Sequence, residues 1–249
     1  MQLYFIRHGQ SVNNAHWHES NYVESPDPIL TEIGKQQAQR LAEYLEKNQG
    51  IIEHEGWDPQ NRYGFGITHI YASLMERATH TASFVARRFP QASFTAWTDI
   101  HETGGIHGRA GELKNVGLPG KPRSFFEQHY PELMLPESFN ESGWWQERPL
   151  ETDDLAQLRA ERVWEEILAR HKDRDGQPEH SVMLVSHGNF FVHLMCAILN
   201  LPFRTASHGL GSWFLLNNCS LSRIAIQQEY VTVCYQNRTD YLPDHLITG

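Results

Sequence analysis

Four short stations along the chain carry side chains that could handle a phosphoryl group. The first is Arg7-His8-Gly9-Gln10-Ser11, with Asn14 shortly after. Arginine offers a planar fork of donors suited to phosphate oxygens. A neutral imidazole is a competent nucleophile near neutral pH, and a neighbouring glycine lets the backbone come close to a ligand. The second station is Ser73-Leu74-Met75-Glu76-Arg77-Ala78, followed by Thr79 and Thr81. Arg77 falls in the first turn of an expected helix, where a cation opposes the helix dipole; a bound anion would remove that conflict. The third, Val185-Ser186-His187-Gly188-Asn189, repeats the order of the first: apolar run, histidine, glycine. The fourth, Ile100-His101-Glu102-Thr103-Gly104-Gly105, has a carboxylate that could protonate a leaving oxygen. Taken singly, each could be an ordinary charged loop, surface arginine or core histidine. Together, two arginines and two histidines in one pocket would neutralise a phosphoryl group and stabilise its charge during transfer.

The elements that must position these residues read as alternating strands and helices. Strands are expected at 3–6, 67–72, 93–100, 181–185, 213–216, 221–226 and 231–235, the last pairing with the one before it. Helices are expected at 31–48, capped by Thr31, and at 76–88, 154–171 and 189–199. This alternation predicts a three-layer α/β sandwich with a mainly parallel central sheet flanked by helices. Ligands of such sheets bind at the carboxyl ends of the strands, and all four stations fall at or just after expected strand ends. Residues 103–150 differ in character, with dense Gly and Pro and the aromatics Phe125, Phe126, Tyr130, Phe139, Trp144 and Trp145. They read as an insertion over the active-site end of one domain spanning 1–249, its aromatics mostly packing it down and Trp145 a candidate pocket wall.

The chain has 249 residues, 40% of them hydrophobic, and a formal charge of −9, which is globular and acidic. No basic face for nucleic acid is expected, and no apolar run approaches a membrane span. The opening residues are too soon charged for a signal peptide. Cys196, Cys219 and Cys234 form no CxxC pair and read as reduced core residues, so a cytoplasmic protein is expected. His16 with His18, and His101 with His107, lie close in sequence but lack metal-motif spacing. No metal and no cofactor are expected at the site. His54, His171 and His180 belong to no motif, and His208 beside Gly209 could lie near the site. Oligomeric state is not legible.

These motifs resemble the histidine phosphatase (phosphoglycerate-mutase-like) superfamily. Arg7-His8-Gly9 is similar to its RHG signature, and Asn14 to the asparagine that follows. Leu30-Thr31, Gly34 and Gln37-Ala38 match its LTxxGxxQA segment, Ser73, Arg77-Ala78 and Thr81 its SxxxRAxxTA segment, and Ser186-His187-Gly188 its second-histidine motif. Asn218-Cys219-Ser220 resembles its closing segment. The resemblance implies a metal-free enzyme in which His8 takes the phosphoryl group while Arg7, Arg77, His187 with Gly188, and Asn14 bind it. It implies that Glu102 protonates the leaving group; the glycine spacing after Glu102 departs from the family pattern, so Glu76 and His101 stand as alternatives. The family holds phosphatases and phosphoglycerate mutases. A mutase needs extra cations in the insertion, and Arg109, Lys114, Lys121 and Arg123 are few and scattered. The expectation is a phosphatase acting on a small phosphorylated substrate, with a mutase or an inert phosphate-binding protein as alternatives.

Overall fold

A computed structural model describes residues 1–47, 58–146, 148–173, 179–204, 211 and 213–249. Asn48, His54, His208 and Gly209 lie outside the described residues. The element order is β1 (Gln2–Arg7), α1 (Val12–His16), α2 (Glu32–Lys47), β2 (His69–Ala72), α3 (Glu76–Ala86), β3 (Ser93–Ala96), α4 (Arg123–His129), α5 (Asp153–His171), β4 (Ser181–Ser186), α6 (Gly188–Ile198), β5 (Leu221–Gln227) and β6 (Tyr230–Arg238).

The strands form a sheet in the order β3-β2-β4-β1-β5-β6. The first four are mutually parallel; β5 runs antiparallel to β1 and closes a hairpin with β6. In β1, Tyr4 and Ile6 face one apolar layer and Leu3 and Phe5 the other, as a strand buried on both faces requires. Helix α2 buries Gly34, Gln37, Ala38, Leu41, Ala42 and Leu45, a single helical stripe, against the layer shared with α3. Helix α5 packs on α6 over the opposite face. The result is a mixed α/β sandwich with a largely parallel sheet, as the sequence pattern predicts.

The connection from β1 leads into α1 and α2 on one face, while adjacent β4 leads into α6 on the other. This divergence opens a crevice beyond the carboxyl ends of β1 and β4. In the 103–150 stretch, Phe126, Tyr130, Phe139, Trp144 and Trp145 join the α2/α3 layer, so its aromatics pack it onto the sheet. Met134 also exchanges backbone hydrogen bonds with Phe94 and Ala96, covering the edge of β3.

Two expected strands differ. The 93–100 strand ends at Ala96, and Thr98–Ile100 forms a 3-10 turn, held where Arg159 takes the carbonyls of Asp99 and His101 at 2.7 and 3.1 Å. Residues 213–216 join no strand. Trp213 and Leu215 are exposed, and the carbonyls of Leu215 and Leu216 accept from Gln236 and Arg7 side chains.

Candidate active site

The loop after β1 is held by close backbone approaches. A Cβ on Gly9 would lie 2.5 Å from the carbonyl oxygen of Gly34, and one on Gly34 would lie 2.2 Å from that of Gln10. Both glycines are therefore needed for the first loop to rest on the start of α2. Side chains then fix the loop. Gly9 N–H donates to Thr81 Oγ1 (3.0 Å) and Gln10 N–H to Gln37 Oε1 (2.7 Å). Thr31 donates to Gln10 Oε1 (2.8 Å) while accepting from Gly34 N–H (3.0 Å). Thr31, Gln37 and Thr81 thus position the histidine loop without touching its ring.

His8 is buried at the end of β1. Its Nδ1 lies 2.7 Å from the Gly9 carbonyl, which can only accept, so Nδ1 carries the proton. Nε2 therefore presents a lone pair, capped by Arg77 Nε at 3.1 Å. Burial first, then the charges of Arg77 and Arg7, hold the His8 pKa well below its usual value. The ring is neutral and correctly tautomeric for nucleophilic attack by Nε2.

His187 caps the N-terminus of α6, its ring 5.1 Å from that of His8. Ser73 Oγ accepts from Met75 N–H at 3.2 Å and lies 2.8 Å from His187 Nε2, to which its hydroxyl hydrogen can be donated. The proton of the neutral ring then sits on Nδ1, which is buried and has no hydrogen-bond partner. Arg7 Nε and Arg77 Nη1 are likewise buried without a hydrogen-bond partner. Three orphaned donors surround one imidazole lone pair. Leaving buried donors unpaired is costly, and an anion is the ligand that satisfies all three.

Glu102 lies across from them. Its Oε1 accepts from Thr103 N–H (3.0 Å) and Phe190 N–H (2.9 Å), and its Oε2 from Asn189 N–H at 3.3 Å. It thus sits at the start of α6, close enough to His187 and the arginines for its charge to act on both Arg7 and Arg77. Asn14 closes the capping box of α1 with Ser11. Its Oδ1 accepts from Ser11 N–H (3.1 Å) and Asn218 Nδ2 (3.2 Å), leaving its NH2 as the donor end. Gly188 lies beside the Arg7 side chain, with Arg7 Nε 3.6 Å from where a Cβ would stand, an ordinary contact distance. Of the alternative acids, buried His101 donates from Nδ1 to the Glu102 carbonyl at 2.8 Å, and burial holds its pKa well below the usual value. Glu76 lies 3.3 Å from Lys121 Nζ. Trp145 is buried edge-on against His101, its ring over Gly105.

Two residues of this site carry no chemical signal in the sequence. Asp27 lies 3.8 Å from Arg77 Nη1 and accepts the Glu76 N–H at 3.1 Å, capping α3 from a distant loop. Burial pushes its pKa up to about 6, against the pull of Arg77. Arg159 forms a two-pronged ion pair with Glu151 (2.7 and 2.6 Å) and grips the carbonyls that precede Glu102. Asp27 lies three residues before the LTxxGxxQA segment, and that proximity is the one hint the sequence offers. Arg159 sits mid-helix with no signal at all.

Among the described residues no helix is long and apolar enough to cross a membrane. The sequence model of the histidine phosphatase superfamily (branch 1) matches residues 3–52 and 60–239. The chain is 28% identical over 232 residues to a probable phosphoglycerate mutase, GpmB, of Yersinia pestis (strain Pestoides F), covering 92% of this chain and 86% of that protein. Its structure is similar to a mycobacterial glucosyl-3-phosphoglycerate phosphatase solved with VO3, at TM-score 0.55 and 20% identity over 96% of this chain and 99% of that one. It is also similar to a mutant phosphoserine phosphatase of Entamoeba histolytica in complex with phosphoserine, at TM-score 0.57 and 17% identity over 97% and 99%.

Proposed function

The chain belongs to the histidine phosphatase superfamily, and from that premise we propose that it hydrolyses a phosphate monoester through a phosphohistidine on His8. The observation that carries this reading is the set of buried donors without a hydrogen-bond partner, Arg7 Nε, Arg77 Nη1 and His187 Nδ1, beside His8, whose Nε2 lone pair is held by Arg77 Nε.

In the first step His8 Nε2 attacks phosphorus, forming an N–P bond as the ester P–O bond breaks. Arg77 Nε leaves the lone pair and turns its fork to the equatorial oxygens, which Arg7, His187 and Asn14 share. The leaving oxygen takes a proton from Glu102. Oε2 is the oxygen for that role, because its one bond is the long one from Asn189. In the second step water gives its proton back to Glu102 and attacks phosphorus, breaking the N–P bond and releasing phosphate. No step calls on a metal.

The cations of the 103–150 stretch favour hydrolysis over transfer to a second hydroxyl. Arg109 is paired with Glu24 (3.4 Å), Lys121 with Glu76 (3.3 Å) and Arg123 with Glu127 (2.7 Å). Three of the four candidate cations are thus paired with carboxylates, Lys114 being the exception, whereas a bisphosphate intermediate needs several free ones. Arg109 alone acts on Arg77 electrostatically and marks the rim where a small substrate's body would lie.

The test is turnover of p-nitrophenyl phosphate in EDTA by wild type and His8→Ala, followed by a panel of phosphorylated metabolites. Loss of about 10³-fold or more in kcat for His8→Ala is expected. Equal turnover by the two proteins, or wild-type turnover that needs an added divalent ion, defeats the proposal. Interconversion of phosphoglycerates without phosphate release would favour the mutase.

A further inference from the structure

At the opposite end of the sheet, three histidines converge that no motif joins. His69 opens β2, His171 closes α5 and His180 immediately precedes β4. One ring nitrogen of each lies within 4.8 Å of the others, the one such cluster among the described residues. Because β1, β2 and β4 are parallel, this end lies roughly 20 Å from the phosphate pocket at about 3.3 Å per strand residue.

The hydrogen bonds fix which nitrogens face inward. Thr68 Oγ1 lies 2.8 Å from His69 Nδ1 and engages that nitrogen, which leaves Nε2 as the ring's other candidate ligand atom. His171 Nε2 is bound to Tyr71 Oη (3.0 Å), which directs Nδ1 inward. His171 Nδ1 and His180 Nδ1 then face each other at 2.9 Å. At that spacing one ring of the neutral pair donates its Nδ1 hydrogen to the Nδ1 lone pair of the other, and a metal ion displacing that hydrogen would take both nitrogens as ligands. In a tetrahedral site with Zn–N of about 2.0–2.1 Å the nitrogens stand about 3.3 Å apart. The His171–His180 pair is already near that spacing, and half-buried His69 closes it by a small ring movement. Thr68 and Tyr71 supply the hydrogen bonds to the non-ligating nitrogens that metal-bound histidines characteristically have.

We infer that His69, His171 and His180 form a binding site for a borderline divalent ion of the zinc class, separate from the phosphate site. The ion ties β2, β4 and α5 together where the parallel strands begin, with water completing the coordination. Its role is to stabilise the fold.

The full chain, stripped with EDTA and exchanged into chelator-free buffer, is titrated with zinc chloride by calorimetry, in parallel with thermal unfolding. The expected result is one zinc per chain and a raised Tm in wild type and in His8→Ala. At least tenfold weaker binding and no Tm rise are expected in His69→Gln and His180→Gln. Tyr71→Phe, which keeps the ring and loses one supporting hydrogen bond, weakens binding about 10- to 100-fold and remains informative if a histidine variant misfolds. Cobalt(II) in place of zinc gives the visible bands of a tetrahedral site, lost in His69→Gln, while phosphatase turnover is the same with and without metal. Uptake undiminished in the His69 and His180 variants, absent in wild type, or abolished by His8→Ala overturns the inference. None of these results bears on whether His8 is the nucleophile.

Discussion

At Arg77 a buried guanidinium donates to the nucleophile through Nε, while its Nη1 has no hydrogen-bond partner and faces the Asp27 carboxylate at 3.8 Å. Because burial raises the Asp27 pKa to about 6, that carboxyl is neutral in acid and opposes an anionic substrate once ionised. KM is therefore expected to rise as pH passes upward through about 6. Asp27→Asn, which keeps an acceptor for the Glu76 N–H, should lower KM at pH 7.5 and flatten that rise relative to wild type. An unchanged KM profile in the variant would contradict it. Glu102→Gln should lower kcat by about 10²- to 10⁴-fold for alkyl phosphates and far less for p-nitrophenyl phosphate, whose leaving group needs no proton. Equal losses on both substrates would return the acid's role to Glu76. Arg7, His8, Arg77 and His187 were legible in the sequence through their combination at expected strand ends and their match to the family's motifs, since each alone has an ordinary structural reading. Asp27 was not, since its chemistry comes from a contact made across the fold with a segment about fifty residues away in sequence.

At the scale of elements, the site depends on backbones in contact. Gly9→Ala would drive a methyl to 2.5 Å from the Gly34 carbonyl and is expected to destabilise by about 1–3 kcal/mol, read as a lower denaturation midpoint. Its kcat should also fall, because the same loop carries His8. The Arg159–Glu151 pair is buried on both sides, and breaking such a pair costs about 3–5 kcal/mol. Glu151→Gln is the milder probe: it should lower kcat with little change in KM by loosening the segment that carries Glu102, and a pure KM effect would contradict that role. The helices read well from sequence because their buried stripes follow helical spacing, as in α2. The expected strand at 213–216 failed because Trp213 and Leu215 face solvent, and an apolar run does not reveal whether a partner strand lies beside it. Strand β3 stops early for a reason outside its own sequence, the grip of Arg159 on the following carbonyls.

For the whole molecule, titration links the site to stability. His8, His101 and His187 are buried with pKa values held well below the usual one. As pH falls below about 6.5 the unfolded chain takes up protons that the folded one refuses, so stability is lost in acid. Each histidine that stays neutral contributes a slope of about 1.4 kcal/mol per pH unit below that point. Asp27 acts in the opposite sense: its raised pKa stabilises most below about pH 4 and loses that contribution as pH rises through 6. Three groups outweigh one, so the Tm should fall between pH 7 and pH 5, and a bound phosphate ion should raise it by satisfying the orphaned donors. A Tm that climbs on acidification would contradict this balance. The layered architecture was legible from the alternation of elements, whereas the histidine cluster at the far end of the sheet was not: residues 69, 171 and 180 meet only because β2 and β4 begin where α5 ends.

The most direct test of the account is to trap the covalent intermediate. Wild type is mixed rapidly with a phosphate monoester, quenched in alkali where phosphohistidine survives, digested and mapped by mass spectrometry. One phosphoryl group on His8 that forms and decays at rates compatible with kcat is expected in wild type, and none in His8→Ala. Steady turnover with no phosphorylated His8 at any time, or a phosphoryl group on another residue, would contradict it.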